Sequence, residues 1–314
     1  MKKFLVNIVL FGLFSFLFYV VIMPLWSSSL PFFMSKNVRS CMGCYGHTFT
    51  RMKEAKEMKN IDVLIVGSSH AYRGIDPRIL KKQGINAFNL GSSAQTPINT
   101  KMLLHQYLDS IKPKIVVYEV YAGTLVIDGL ESSLDLLSNN RIDKNSFTMA
   151  SKQNKLVTYN TFLFSSFRQI FGLNKTFSES LIQGDDTYIK GTGYVQTRPR
   201  IYKIKEESQK EWLINDNQLK ALKENVNYIN SKGIKLMLIQ TPITNSLYNS
   251  KNNNKQIDSI MNSLGNYKSY QKSLIINDSL DFYDNNHMNH NLVERFSKNL
   301  SIDIKNILNG NSKK

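Results

Sequence analysis

The chain has only two cysteines among its 314 residues, Cys41 and Cys44, which form one Cys-x-x-Cys pair. Without a second pair, a zinc site of four cysteines cannot be built. Neither cysteine directly follows a long apolar run, which argues against a lipid-modified cysteine anchor. In an oxidising compartment the pair would form a small local disulfide, and this is our prediction. Free or functional thiols are the alternative.

Long apolar runs are scarce as well, because the chain has only one. It extends from Phe4 to Leu25 and is apolar apart from Asn7, Ser15 and Pro24. A helix of these 22 residues would be about 33 Å long, enough to cross a hydrocarbon core of about 30 Å. A cleaved signal peptide is the alternative, but the run is long for one and no clean small-x-small cleavage site follows it. We predict an uncleaved anchor over residues 1–26.

Two lysines, Lys2 and Lys3, precede the apolar run. Basic residues that flank a span tend to remain in the cytoplasm, so the remaining ~285 residues are expected outside it. The protein would then be a single-pass membrane protein with an extracytoplasmic domain.

Acidic residues are few, since 24 Asp and Glu stand against 40 Lys and Arg, for a formal net charge of +16. This surplus suits a protein that works beside anionic lipid headgroups or an anionic surface polymer. Nucleic acid is another anionic partner to consider. The extracytoplasmic location argues against it, as does the lack of an aromatic-basic platform or zinc-finger spacing. We expect no nucleic-acid partner.

After the anchor, residues 27–60 are predicted to form a juxtamembrane connector that ends in a short polar helix near 50–59. From 61 to 310, apolar segments alternate with segments of helical periodicity. The predicted strands are 62–66, 85–90, 115–120, 235–239 and 273–276, and the predicted helices are 98–111, 219–229, 257–264 and 292–307. This alternation predicts a three-layer α/β/α domain with a parallel, flavodoxin-like five-stranded sheet, preceded by one transmembrane helix.

Residues 123–210 interrupt the alternation. Their firmest apolar cluster lies at 162–171, and the stretch from 184 to 200 is rich in Gly, Asp, Tyr and Arg without periodicity. A long insertion in an α/β domain is usually a lid or a partner surface. We therefore interpret this segment as a cap over the edge of the sheet where ligands bind.

Polar candidates follow the predicted strands, where parallel α/β sheets bind ligands. They are Ser69, Gly91, Tyr121, Thr241 and Asp284. Ser69 lies at a strand-to-helix turn, and His287, three residues after Asp284, could remove its proton while Asp284 orients the imidazole. The alternative is structural: Ser68 or Ser69, and likewise Asp284, would only cap helices.

With these residues in place, the chain resembles the SGNH (GDSL-like) hydrolase superfamily over about 62–121 and 234–308. The resemblance implies Ser69 as the nucleophile, Asp284 and His287 as its partners, and the amides of Ser69 and Gly91 as oxyanion donors. The family often has Gly-x-Asn-Asp after the third strand, whereas this chain has Glu119-Val120-Tyr121-Ala122-Gly123.

The Gly-Ser-Ser sequence, the anchor and the missing Asn look like a membrane-tethered branch of that superfamily. This branch includes DltD-like proteins of teichoic-acid D-alanylation and acetylation proteins of surface polysaccharides. The resemblance implies a serine-dependent esterase or acyltransferase for an acylated glycan, polymer or lipid of the cell envelope, beside a membrane-bound O-acyltransferase. A non-catalytic adaptor that binds a polymer or that enzyme is the rival hypothesis.

Several other polar residues have weaker cases. His70, Arg73 and Gln95 are candidate substrate contacts, although each also has a structural interpretation. Glu119 could serve in acid-base chemistry or form a buried pair with a lysine. A metal site at His70, His287 and His290 is an alternative that no acidic or cysteine pattern supports, so we expect no metal and no cofactor.

The predicted topology can be tested in cells. Once any outer barrier is permeabilised, added protease should remove the residues beyond position 30, because they are expected outside the cytoplasm. Immunoblotting of the remaining N-terminal fragment measures this. Labelling of Cys41 from the cytoplasmic side only would contradict the predicted orientation.

Overall fold

The computed structural model describes residues 1–29, 37–39 and 41–310, so residues 30–36 and 40 of the predicted connector lie outside the described part. The described residues form eight strands and fourteen helices. The strands are β1 (Val63–Val66), β2 (Ala87–Asn89), β3 (Ile115–Glu119), β4 (Ile182–Gln183), β5 (Asp186–Ile189), β6 (Tyr194–Thr197), β7 (Lys235–Gln240) and β8 (Tyr267–Ser269).

The helices are α1 (Lys2–Ser29), α2 (Thr48–Ala55), α3 (Ser69–Tyr72), α4 (Pro77–Lys82), α5 (Pro97–Ile111), α6 (Gly123–Val126), α7 (Leu130–Asn139), α8 (Lys144–Gln153), α9 (Leu156–Ile170), α10 (Asp216–Ser231), α11 (Asn245–Asn249), α12 (Asn254–Leu264), α13 (Asp278–Asp281) and α14 (His290–Leu308).

Five strands form a parallel sheet in the order β2-β1-β3-β7-β8. Val63 of β1 lies opposite Ala87 of β2 and Ile115 of β3, and Ile115 in turn lies opposite Lys235 of β7. This order is flavodoxin-like, and its winding direction reverses between β1 and β3. The predicted three-layer architecture with a five-stranded parallel sheet is confirmed.

Side chains alternate across the sheet and build two apolar layers. On β1, Leu64 and Val66 pack with helices α5, α10 and α12, whereas Val63 and Ile65 pack with α4 and α14. All four strand residues are buried, which explains why the strand is apolar throughout instead of alternating. Each helix packs on the sheet with one face only, so its apolar residues recur at helical spacing, as the sequence predicted.

The predicted fifth strand at 273–276 is wrong. Strand β8 lies earlier, at Tyr267–Ser269, where it pairs with β7 through Leu238 opposite Tyr267. It is an edge strand with half-buried side chains, so its sequence carries little apolar signal. The apolar residues at 273–276 form a turn and a loop instead, with Ile275 92% exposed.

Helix α1 is long and apolar enough to cross a membrane over Lys2–Ser27. A membrane span and a signal sequence fit this helix equally by length and composition. Towards its end it packs beside α9, where Tyr19 Oη donates to Asn160 Oδ1 and Met23 contacts Phe164. Its orientation in a membrane stays a prediction.

The sulfur atoms of Cys41 and Cys44 are bonded to each other in the structure. Between them, the amide of Gly43 donates to Asn139 Oδ1, and its carbonyl accepts from Gln183 Nε2. The small loop is thereby joined both to the end of α7 and to β4.

The segment 123–210 has two structurally different halves. Its helices α6 to α8 contribute to the main core, where Leu136, Leu137 and Met149 are almost fully buried. Its second half contains the antiparallel sheet β4-β5-β6, which packs through Tyr188 and Val195 on Tyr72. The helical half is therefore part of the domain core, and the interpretation as a cap stays a prediction for the sheet half.

Substitutions of leucine by alanine should distinguish the part of this segment that belongs to the core from the part that does not. Leu137→Ala removes a side chain with 0% exposure, and we expect it to lower the free energy of unfolding by about 2–5 kcal/mol. Leu173→Ala, at a site 49% exposed in the same segment, should change it by less than about 0.5 kcal/mol. Chemical unfolding of the detergent-solubilised chain measures both. Equal effects would contradict a core role for α7.

Candidate active site

The turn after β1 determines where Ser69 lies. Gly67 has φ +143°, and a Cβ at this position would lie 2.7 Å from Cβ of Glu119, so only glycine fits. Ser68 caps α3, because its Oγ accepts from the amide of His70 at 3.2 Å. The capping alternative therefore applies to Ser68 and leaves the hydroxyl of Ser69 available.

Ser69, His287 and Asp284 lie in a hydrogen-bonded row. His287 Nε2 is 2.8 Å from Ser69 Oγ, and His287 Nδ1 is 2.8 Å from Asp284 Oδ2. The other carboxylate oxygen of Asp284 accepts from the amides of Asn286 and His287, at 2.9 and 2.7 Å. These bonds close a tight turn and hold both side chains on the same side. Asp284 was expected to follow a strand. Helix α13 precedes it instead, and the last strand of the described chain, β8, ends at Ser269, so this expectation is wrong.

The surroundings favour an ionised Asp284. Burial opposes ionisation of Asp284, but the hydrogen bond and charge of His287 outweigh it and hold the pKa of Asp284 below its usual value. The rings of His70 and Tyr283 both stack on His287, with centroids 5.0 and 5.5 Å away. These rings limit the motion of the imidazole.

His70 is 4% exposed, so the structure places it behind His287 and not on the surface that a substrate would touch. Its Nδ1 lies 3.2 Å from Thr241 Oγ1, and its ring packs at a tilt against Tyr121. Burial, together with the charge of His287, lowers the pKa of His70 well below its usual value. A neutral His70 adds no positive charge beside His287.

Arg73 and Gln95 have partners within the protein. Arg73 holds the carboxylate of Asp186 with two nitrogens, at 2.5 and 2.6 Å, which joins α3 to β5. Asp76, which lies nearby in sequence, pairs with Arg78 instead. Gln95 is buried, accepts from Ser92 Oγ and donates to Thr100 Oγ1. Of the two, only Arg73 lines the cavity beside Ser69.

Glu119 ends β3 and supports the turn that carries Ser69. Its Oε2 accepts from the hydroxyl and the amide of Ser68 at 2.9 and 3.3 Å, and its Oε1 accepts from the amide of Tyr121 at 2.7 Å. The buried pair with a lysine that the sequence suggested is not what the structure shows. Burial raises the pKa of Glu119 to about 7, although the hydrogen bonds from Ser68 and Tyr121 counteract it.

The two predicted oxyanion donors differ in the structure. The Gly91 amide donates to Asn89 Oδ1 at 3.1 Å, so it is already engaged. A Cβ at Gly91 would lie 2.9 Å from the carbonyl oxygens of Gly67 and Ser68, so close packing alone requires glycine there. Within the described residues, no hydrogen bond uses the amide of Ser69. This amide is the free donor at the turn.

A cavity of about 380 Å³ opens beside Ser69, Asp284 and His287. Sequence reasoning missed most of its other lining residues, which include Ser93, Gln183, Asp185, Asp186, Thr197, Arg200 and Tyr283. The residues from 183 to 200 belong to the sheet β4-β5-β6 or its flanks, in the segment without periodicity. The only sequence signal for them was its density of Gly, Asp, Tyr and Arg. His290 is absent from this group and pairs with Tyr194 through Nδ1.

No protein-family profile matches this sequence, and no curated protein does. Among solved structures, one similar fold is a candidate acylhydrolase from Bacteroides fragilis, at 11% identity and a TM-score of 0.41, covering 82% of this chain and 95% of that one. Another is a GDSL-like lipase from Bacteroides thetaiotaomicron, at 10% identity and a TM-score of 0.39, covering 82% and 98%. At these values neither similarity says what this chain does.

The raised pKa of Glu119 predicts a pH dependence of stability. The folded state holds this proton up to about pH 7, whereas an ordinary glutamate has a pKa of 4.5. The contribution of Glu119 is therefore present below about pH 4.5 and lost as the pH rises through about 7, by up to about 3 kcal/mol. Glu119→Gln mimics the protonated group and should remove this loss. Unfolding of both proteins between pH 5 and 8 measures it.

The exposed Glu57→Gln is the matched control and should keep the wild-type profile. Parallel pH profiles for wild type and Glu119→Gln would contradict a buried, protonated Glu119.

Proposed function

We propose that this chain is a membrane-anchored, extracytoplasmic esterase or acyltransferase of the SGNH type, which acts through Ser69, His287 and Asp284. The observation that carries the proposal is the pair of 2.8 Å contacts that link Ser69 Oγ, the two nitrogens of His287 and Asp284 Oδ2. A serine hydroxyl becomes a useful nucleophile when an oriented base can remove its proton, and this arrangement provides such a base.

The proposed reaction has two acyl-transfer steps. His287 Nε2 takes the proton of Ser69 while Oγ attacks the ester carbonyl carbon, and a tetrahedral oxyanion forms. His287 then gives the proton to the leaving alkoxide, which leaves the acyl group on Ser69. In the second step, His287 deprotonates water or an acceptor hydroxyl, which attacks the carbonyl carbon of the acyl-enzyme. His287 then returns the proton to Oγ of Ser69 as the bond to the acyl group breaks. Asp284 keeps the imidazole oriented and stabilises its positive charge.

The number of hydrogen-bond donors that can stabilise the oxyanion limits the expected rate of acyl transfer. The amide of Ser69 can face the developing charge, whereas the amide of Gly91 is bonded to Asn89. The sequence has no Asn after β3 to serve as a further donor. Loss of one such donor typically costs about 100- to 1,000-fold in rate. We therefore expect slow hydrolysis of simple aryl esters and faster turnover with a natural acceptor or a membrane partner.

The proposed substrate is an acylated glycan, polymer or lipid at the cell surface, and the proposed partner is a membrane-bound O-acyltransferase. Three features support this assignment. Helix α1 could hold the domain at a membrane, the net charge of +16 suits an anionic surface, and the cavity is open enough for a bulky substituent. Arg200, which lines the cavity and is 61% exposed, forms an ion pair with Asp185 there.

A non-catalytic adaptor is the second candidate. The engaged amide of Gly91 is the observation that favours it, because a site without a full set of donors stabilises an oxyanion poorly. In that case the cavity beside Ser69 would bind the polymer or the partner enzyme without reaction.

Substitution of the three residues tests catalysis. Ser69→Ala and His287→Ala should each abolish acyl transfer and covalent labelling of Ser69 by a fluorophosphonate, with little loss of stability. The double variant should be hardly worse than either single variant, because these residues act as a unit. Asp284→Asn should keep a small residual activity, since Asp284 only orients and stabilises the imidazole. Ester turnover and mass spectrometry of the labelled peptide measure these effects.

Ser263→Ala, which removes an exposed hydroxyl on α12, is the control and should keep full labelling. Undiminished acyl transfer by Ser69→Ala would rule out the mechanism. An intact protein that is neither labelled nor active, even with its membrane partner, would favour the adaptor.

A further inference from the structure

A second cavity, of about 370 Å³, lies among α2, the end of α7 and the end of α9, and shares no residue with the cavity beside Ser69. Four cationic side chains line it: Lys53, Lys56, Arg141 and Lys175. No Asp or Glu is among its described lining residues. We call it the basic cavity.

Ion pairs within the described residues compensate little of the positive charge of the basic cavity. Among the described residues, no ion pair involves Lys53, Lys56 or Lys175. Burial, together with the charges of Arg141 and Lys53, lowers the pKa of the Lys56 ammonium, as expected where cations crowd each other. An anion would relieve this repulsion.

One acid approaches a cation of the basic cavity. Asp143 Oδ2 lies 4.0 Å from Arg141 Nε, at the limit of an ion pair. Its Oδ1 accepts from the amides of Asn145 and Ser146 and from Gln106 Nε2, because Asp143 caps α8. Asp143 therefore gives Arg141 a distant counter-charge and forms no ion pair with the lysines of the cavity.

Two buried polar atoms at the basic cavity have no hydrogen-bond partner in the described structure, Arg141 Nε and Asn174 Oδ1. A buried polar group without a partner costs about 1–3 kcal/mol, so such atoms call for a ligand or water. Rotation of the Asn174 amide would present its NH₂ group to an anion instead.

We propose that the basic cavity binds a phosphate group. A phosphate dianion matches several cations and accepts hydrogen bonds from Arg141 and the lysine ammonium groups. The cavity is larger than one phosphate, so the group can be part of a longer molecule. Neither Ser69 nor any step of the proposed reaction is needed for this binding.

A third cavity supplies an internal comparison. It has about 320 Å³ and lies between α5, α8 and α10, where Lys101, Lys152 and Lys220 line it. There, however, Glu224 lines the cavity as well and pairs with Lys101 at 2.7 Å. Lysines are thus found in both cavities, but only the basic cavity lacks an acidic side chain.

A phosphate group can be carried by a lipid headgroup or by a soluble molecule. Helix α1 is long and apolar enough to cross a membrane, so both sources are tested.

The test uses the full chain in dodecyl maltoside, a detergent without phosphate. Inorganic phosphate is titrated at constant ionic strength, and binding is measured by calorimetry. We expect saturable binding that weakens at least tenfold in Lys53→Gln/Lys56→Gln, because both side chains are exposed and their loss should leave the fold intact. The matched control, Lys152→Gln/Lys220→Gln, removes two lysines from the third cavity and should bind like the wild type.

A second arm separates the two sources. Phosphatidylglycerol added to the micelles should weaken phosphate binding by competition if a lipid headgroup fills the site, and should leave it unchanged if the ligand is soluble. Either result supports the phosphate site. No saturable binding, or equal weakening in both double variants, would overturn it. Fluorophosphonate labelling of Ser69 in the same samples reports separately on the proposed catalysis.

Discussion

The candidate active site depends on the close approach of β1 and β3 at their carboxyl ends. At Gly67, just after β1, the backbone has φ +143° and would place a Cβ 2.7 Å from Cβ of Glu119, which leaves no room for a side chain. In this narrow space, the buried carboxyl of Glu119 binds both the amide and the hydroxyl of Ser68. Ser68 in turn caps α3, and the next residue, Ser69, is left facing outward. The position of the hydroxyl therefore follows from packing between strands.

The opposite side of the site is built by the end of the chain. A turn closed by Asp284 presents His287, and α14 begins three residues later and packs its apolar stripe on the sheet face opposite α5 and α10. Two rings, His70 and Tyr283, then stack on the imidazole. The fold itself thus fixes the contact between Ser69 and His287. The two side chains should therefore need little further ordering when a substrate binds.

The sequence predicted the parallel, flavodoxin-like sheet, because buried parallel strands and helices have strong periodicity. Its Gly-Ser-Ser and Asp-x-x-His motifs pointed to Ser69, His287 and Asp284. It misplaced β8, since Tyr267–Ser269 is a half-buried edge strand and the nearby apolar run became a loop. It also could not anticipate that Glu119 binds Ser68, because this contact joins the ends of neighbouring strands. Nor could it anticipate that the Asn89 side chain accepts from the amide of Gly91, two residues later. The cavity residues at 183–200 could not be predicted either. The sheet β4-β5-β6 is positioned by contacts with Tyr72 and Arg73, which the sequence pattern of the sheet does not reveal.

Helix α7 separates the two sites. At its first turn, Glu131 accepts from Ser93, which lines the cavity beside Ser69, and at its last turn, Asn139 lines the basic cavity. Its ten residues measure about 15 Å, so one molecule would have to follow the helix over that length to occupy both cavities. A small ester is too short to do so, and its turnover depends on the first cavity alone. Only an extended, phosphate-bearing substrate could make the two sites cooperate, and its affinity would then depend on the separation of its phosphate and ester groups.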